Sequence, residues 1–469
     1  MAQTPKVLDP SLSPAARFGA ELRRYRTERR LSLAGLGRSV HVSGDLLGRI
    51  EKAERSASPE LVASLDATLS ANGALLQLAA AVRAPSPTEV QSAVTGVKWA
   101  REQNTASGEI RIETPAGQYF RGSSRDALLV PGHHNNGVIE LDLGDRHRAF
   151  AARRRTQSLI VAAVEQIDRM SHYASSTGRV TDTELSRLPT AYELDDLTLG
   201  LLWAVTNLDD DLLDDDANLY DFVSSDADSE RISEVAVTLS ATSMMWLGSA
   251  YCARHILDNA DVLTTTPQYW TAEHSGEAAS GWLLFRHKLD YLRRTANLTT
   301  GSSQPGRTFC LPPAAVTGLA QPDRILLFLA VALMESFGIR VALTSSTDYA
   351  DVPGFVIDQD GTAIIANWIG GEGVWQIDVC RDRPRFSEFS GAVRQSAQAN
   401  LLTSASPHAR LRTLSEYLAI DWVWTVERCA AIASTGLAGL IRPRSRLLSL
   451  AGIERACAFL AARPLDQAY

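Results

Sequence analysis

Apolar residues recur three and four apart from Ala15 to Arg83, in short runs parted by turn signals, which predicts a set of short helices. Before them, residues 1–14 carry Pro5, Pro10 and Pro14 among few apolar groups and read as a flexible arm. After them, APSPTEVQSAVTG at 84–96 reads as a linker, with two prolines and small polar residues. The period then changes. In GEIRIETPAGQYF at 108–120, Ile110 and Ile112 alternate before a Pro115-Ala116-Gly117 turn with Tyr119 beyond it, which predicts a hairpin. ALLVPG and VIELDLG add strands, so 97–149 reads as a small β-rich segment.

From Phe150 the helical spacing returns through RTQSLIVAAVEQIDRMSHYA, ELDDLTLGLLWAVTNL and SEVAVTLSATSMMWLGSAYCARHIL. TTGSSQPGRTFCLPP at 299–313 breaks the pattern, and RILLFLAVALMESF resumes it. RVALTS, GFVIDQDGTAIIANWI and GVWQIDVC then predict a short antiparallel meander, with Asp360-Gly361 as a hairpin turn. The tail is helical in LRTLSEYLAIDWVWTVERCAAIA and RLLSLAGIERACAFLAA. The expected fold class is mainly α, α+β overall: an N-terminal helical domain at 15–83, then a mostly helical body at 150–469 with short antiparallel β segments.

At 469 residues the chain exceeds one ordinary domain, and 45% hydrophobic with 21% charged residues is a globular balance that excludes a predominantly disordered chain. There is no signal sequence and no apolar run of bilayer length, so a soluble cytoplasmic protein is expected. Five scattered cysteines (Cys252, Cys310, Cys380, Cys429 and Cys457) fit neither a disulfide framework nor a CxxC zinc site and read as buried thiols. A net charge of −8 speaks at first against nucleic acid, but its distribution reverses the argument. From Ala15 to Arg83, ten Arg and one Lys face seven acidic residues, leaving that stretch at +4 and the remainder at −12. A basic head on an acidic body fits a DNA reader.

The stretch that carries this reading is SLAGLGRSVHVSGDLLGRIEKA at 32–53. Ser32 and Ser43 each stand just before an apolar-periodic run, where a hydroxyl caps a helix. Leu36 and Val40 share a face, Val42 sits in the turn, and Leu47 and Ile50 continue the buried side into the second helix. Gly37 is small where crossing helices would touch. Two short helices so joined hold the second proud of the surface, where it can enter the major groove.

Together with FGAELRRYRTERRLS before it and SPELVASLDATLSANGALL after it, this motif resembles the XRE family, the lambda-repressor and Cro type of helix-turn-helix domain, over residues 17–82. The resemblance implies a five-helix lambda-repressor-like fold with a recognition helix from about Ser43 to Glu51. It directs Gly44, Asp45 and Arg49 toward base edges and places Ser32, Leu33, Ser43 and Lys52 near phosphates. It also implies an ion pair between Arg26 and Glu51, and a left-handed turn residue at His41. Arg49 is the strongest base reader, since its fork can bond guanine O6 and N7 together. The arginine-rich layout further resembles the long XRE-type regulators of actinobacteria.

The expected partners follow: double-stranded DNA, a second copy of the chain as a homodimer on an inverted repeat, and a small-molecule or protein effector at the body, with no membrane. No cofactor, metal or enzymatic activity is expected, since GxxxxGK[ST], HExxH and GxSxG are all absent. The run Asp209, Asp210, Asp211, Asp214, Asp215 and Asp216 lacks calcium-loop spacing and reads as a solvated acidic loop, with docking onto the basic head as the alternative. His133-His134-Asn135-Asn136 reads as a loop, and Arg153-Arg154-Arg155 as a surface helix start. Trp246, Trp270, Trp282, Trp368, Trp375, Trp422 and Trp424 read mostly as core, with an effector pocket as the alternative. A scaffold protein whose head does not read sequence, and a body with its own chemistry toward a small molecule, are the competing readings.

Overall fold

The computed structural model describes residues 14–83, 108–141, 159–176, 187–219, 239–298 and 304–462, apart from breaks at 41, 53–56, 58, 70, 72, 115, 137, 167–168, 272–274, 351 and 370–373. Residues 1–13 of the arm, the linker at 84–96, His41 and the arginines at 153–155 lie outside the described residues, and Pro14 opens the first helix. The chain divides into two compact units, residues 1–86 and 87–469.

The first unit contains α1 (Pro14–Glu28), α2 (Leu33–Ser39), α3 (Gly44–Glu51), α4 (Pro59–Thr68) and α5 (Ala74–Arg83). Helices this short are marginal alone, and packing supplies what propensity does not. One shared core does so here, built from Phe18, Leu22, Leu36, Val40, Leu47, Ile50, Val62, Leu65, Leu69 and Leu75. Asp66, itself buried, accepts the N–H groups of Gly73 (2.9 Å) and Leu75 (3.0 Å) and so fixes the start of α5.

The second unit opens with a sheet of β1 (Gly108–Thr114), β2 (Ser123–Asn135), β3 (Val138–Leu141), β4 (Leu159–Gln166), β5 (Arg169–Ser176) and β6 (Arg187–Pro189). Their order is β5-β4-β2-β3-β6, with β1 also on β2. The hairpin expected within 108–120 forms differently: β1 pairs with β2 from Thr114↔Ser123 to Gly108↔Leu129, and Tyr119 belongs to the connection. His133-His134 lies at the end of β2 instead of in a loop, opposite Glu140 and Ile139. The helix expected from 155 to 174 is instead the antiparallel pair β4–β5. Its run Leu159–Val164 is apolar without interruption, so it satisfies helical spacing trivially, and its shortness with Ile160, Val161 and Val164 suits a strand.

Two long helices follow, α6 (Asp196–Asp214) and α7 (Ala241–Asp258). A capping box starts α6: Asp195 accepts the N–H of Thr198, whose hydroxyl accepts the N–H of Asp195, each at 3.0 Å. The acidic run is not a solvated loop. It forms the last turns of α6 and the residues just beyond, and Asp209, fully buried, accepts the N–H groups of Arg444 (2.8 Å) and Ser445 (2.7 Å). Arg444 pairs with Asp210, Arg121 with Asp214 and Arg446 with Asp216, so these carboxylates are spent within the body.

A second sheet then runs β12-β11-β10-β7-β8-β9. Its strands are β7 (Gln268–Thr271), β8 (Gly306–Cys310), β9 (Arg340–Thr344), β10 (Phe355–Ile357), β11 (Ala363–Ile369) and β12 (Val374–Cys380). The expected meander holds for β10–β11–β12, with Gly361 at φ +107°, but β9 leaves it to pair in parallel with β8 at the far edge. Parallel neighbours need crossovers. Here α8 (Gly276–Leu284) and α9 (Arg286–Ala296) join β7 to β8, and α10 (Pro313–Gly318) and α11 (Gln321–Ser336) join β8 to β9. The central strands are apolar on both faces because both are covered. Tyr269, Val356 and Ile364 enter the main core, whereas Trp270, Phe355, Ile357 and Ile365 pack beneath α12 (Arg383–Gln398) with Phe386 and Phe389. The axis of the main core is α11, buried from Ile325 through Glu335 apart from Leu327, against α6, α8, α13 (Pro407–Tyr417) and α15 (Ala451–Ala461). Between α13 and α15 lies α14 (Trp422–Thr435). The chain is mainly α with β segments, antiparallel and parallel. None of the five cysteines is in a disulfide, and four of them are buried.

Asp323, in the first turn of α11, is buried beside Glu277, and burial with that neighbouring charge pushes its carboxyl up to about 7. The unfolded carboxyl titrates near ~3.9. Between those values the folded chain holds a proton that the unfolded chain has lost, so this group's contribution to stability is full below about 4, falls as pH rises and levels off above about 7. Asp323→Asn should therefore gain on the wild type between pH 5 and pH 8. Urea unfolding followed by tryptophan emission at both values measures the difference, and a pH-independent gap would contradict it.

Candidate nucleic-acid interface

Ser32 caps α2, its Oγ accepting the N–H of Gly35 at 2.9 Å, and Ser43 caps α3, its Oγ accepting the N–H of Leu46 at 3.2 Å. Both serines lie in extended backbone ahead of their helices, as a cap requires. The tight connection is closed by the N–H of Val42 on the carbonyl of Gly37 (2.9 Å). A Cβ on Gly37 would stand 2.5 Å from the carbonyl oxygen of Val42, so no larger residue fits this turn without moving it.

Gly44 turns out to be a packing residue. A Cβ there would lie 3.0 Å from the backbone nitrogen of Ala34 and 3.1 Å from the carbonyl carbon of Leu33, so the first turn of α3 rests on the first turn of α2, backbone to backbone. Its lack of a side chain sets the crossing of the two helices and leaves it nothing to extend toward a base. Leu33 is half-buried against the head's core and opens α2. The side chain of Asp45 lies outside the described residues. Arg49 and Lys52 are exposed, as are Ser32 and Ser43, while Leu47 and Ile50 face the core. Three residues apart, Arg49 and Lys52 share one side of the helix.

The far end of α3 is tied to α1. Glu51 is only 2% exposed. Its carboxylate accepts Nε of Arg26 at 2.5 Å and Nη2 of Arg26 at 2.9 Å, while Nη1 of Arg26 donates to the carbonyl of Leu31 at 2.8 Å. The structure thus brings Arg26 and Glu51 together and makes the arginine a strut between the end of α3 and the approach to α2. Two further residues escaped the sequence reading. Arg23 adds a third donor to Glu51 at 3.3 Å, and Gly19 lets α1 pass so close to α3 that a Cβ would lie 2.7 Å from the carbonyl oxygen of Glu51. The i, i+3 spacing of Arg23 and Arg26 carried that signal for the arginine; nothing in the sequence carried it for the glycine.

The result is a helix gripped at both ends and on one side, with a guanidinium and an ammonium on the other. Among the described residues no helix is long and apolar enough to cross a membrane. Residues 17–79 match the family model described as a helix-turn-helix domain, consistent with the XRE type. No curated protein and no solved structure matches the chain.

Proposed function

We propose that this helix-turn-helix chain is a sequence-specific transcriptional regulator that places α3 in the major groove of operator DNA. The observation that carries the reading is the two-sidedness of α3, with Leu47, Ile50 and Glu51 buried and Arg49 and Lys52 exposed. Arg49 reads a base edge, while Lys52, Ser32, Ser43 and the backbone at Leu33 hold phosphates. Asp45 stands at the start of α3, where a side chain reaches base edges. Gly44 serves the reading indirectly, by seating α3 on α2. The chain acts as a homodimer on an inverted repeat with half-sites about one DNA turn (roughly 10 bp) apart. The body carries the two-fold contact and an effector site.

Selection of bound sequences from a random duplex pool, followed by a salt titration on the enriched site, tests this. One palindromic site should emerge, with log affinity falling linearly in log salt. Arg49→Ala should cost about 1–3 kcal/mol on that site and little on other duplexes, whereas Lys52→Ala should weaken all duplexes alike. Weak, uniform binding to every duplex would mean that the head does not read sequence.

A further inference from the structure

Between α7, α8 and α9 and the inner face of the second sheet lies a cavity of about 240 Å³. Trp282, singled out above, lines it with Met245, Tyr269 and Phe285, and so does a cation. Arg307, on β8, is 3% exposed. Its guanidinium carbon lies 4.6 Å from the ring centre of Tyr269, 4.8 Å from that of Trp282 and 5.7 Å from that of Tyr291. Nη1 donates to Oγ1 of Thr271 at 2.8 Å and Nη2 to the hydroxyl of Tyr291 at 3.4 Å, but Nε is buried with no acceptor. Among the described residues no carboxylate pairs with Arg307. Lys288, 7% exposed, adds a second positive charge to the same wall, with Nζ 3.5 Å from the ring centre of Trp282.

A guanidinium taken out of water needs an anion or a full set of acceptors. Ring faces offset part of that cost, but they accept no in-plane N–H bond, and here Nε has none. A planar anion would complete the arrangement, since a carboxylate meets the guanidinium fork edge-on while its carbon skeleton lies among the aromatic walls. Size narrows the class: a dry cavity of about 150 Å³ accepts benzene, so this one accommodates one ring or two fused rings bearing a carboxylate.

We propose that the body binds a small aromatic carboxylate in this cavity, held by Arg307. That such a ligand is the effector rests on the regulator reading above, and the binding test is run without DNA so that the two can fail separately. Titration calorimetry of the full chain with benzoate, 2-naphthoate, naphthalene-2-carboxamide and inorganic phosphate decides it. One naphthoate or benzoate should bind per chain, naphthoate with quenching of tryptophan emission, and the carboxamide should bind at least tenfold more weakly than naphthoate. Arg307→Gln should lose at least tenfold for the carboxylate with little change for the carboxamide, and Ser249→Phe, which fills the cavity from α7, should lose both. Equal affinity for carboxylate and carboxamide, no binding of either carboxylate, or tighter binding of phosphate would each overturn the proposal. The carboxylate–carboxamide comparison needs no variant, so it stands even where a substituted chain does not fold.

Discussion

Arg26→Ala should destabilise the helix-turn-helix head by about 3–5 kcal/mol and abolish its binding to DNA. The cause is what the substitution leaves behind: a Glu51 carboxylate 2% exposed, whose two closest donors both came from Arg26. Arg23, at 3.3 Å and 40% exposed, remains as a weaker partner and offsets part of the loss. A unit of this size is held by roughly 3–10 kcal/mol in all, so the cost is comparable with the total. The chain supplies its own reporter for the test, because all nine tryptophans lie beyond residue 98. Their emission follows the body alone, while circular dichroism follows both units. The variant should lose helical signal at a lower temperature with the emission transition unmoved, and its affinity for the enriched duplex should fall together with the helix. Arg26→Met with Glu51→Leu removes both charges and should recover most of the fold and the binding, since a well-packed apolar pair replaces a buried ion pair at little cost. Wild-type melting and affinity in Arg26→Ala would show that something other than this pair holds α3 in place.

The head was legible because its determinants are local. Ser32 and Ser43 cap helices through amides three residues away, and the periods of Leu36, Val40, Leu47 and Ile50 mark one buried face whatever lies against it. Gly44 shows the limit even there. Its position in the motif pointed to bases, and the space it leaves for Leu33 and Ala34 is visible only in the packed pair of helices. The body was legible as helices and poorly so as sheet. In β7, only Gln268–Thr271, four residues are too few for a period, and their partners on β8 and β10 stand 38 and 85 residues away, at Gln268↔Gly306 and Trp270↔Phe355. Helix α12 went unread, although Phe386, Phe389 and Val393 stand at helical spacing along its buried side. The surroundings of Arg307 were beyond reach for the same reason as the sheet: Tyr269, Trp282 and Tyr291 meet it only once the crossover from β7 to β8 has folded.

The acidic run illustrates how composition misleads when pairing is remote, and it sets up the second large effect. Six aspartates within eight residues read as a solvated face, yet Asp209 is fully buried and its partners are 235 and 236 residues away. Oδ1 accepts the backbone N–H groups of both Arg444 and Ser445, and Oδ2 takes Nε of Arg444 at 3.1 Å. Asp209→Ala should destabilise the body by about 3 kcal/mol, chiefly because each buried amide left without an acceptor costs roughly 1–3 kcal/mol. The guanidinium of Arg444, a third exposed, can turn to water and adds less. Asp209→Asn keeps an oxygen for the two amides and should cost about half as much. Asp214→Ala, five residues on, removes only an exposed pair with Arg121 and should stay within about 0.5 kcal/mol. Urea midpoints read by tryptophan emission should therefore fall in the order Asp214→Ala, Asp209→Asn, Asp209→Ala, with the last far below the others. Equal midpoints for Asp209→Ala and Asp214→Ala would return the whole run to the solvent and remove the clasp between α6 and the chain before α15.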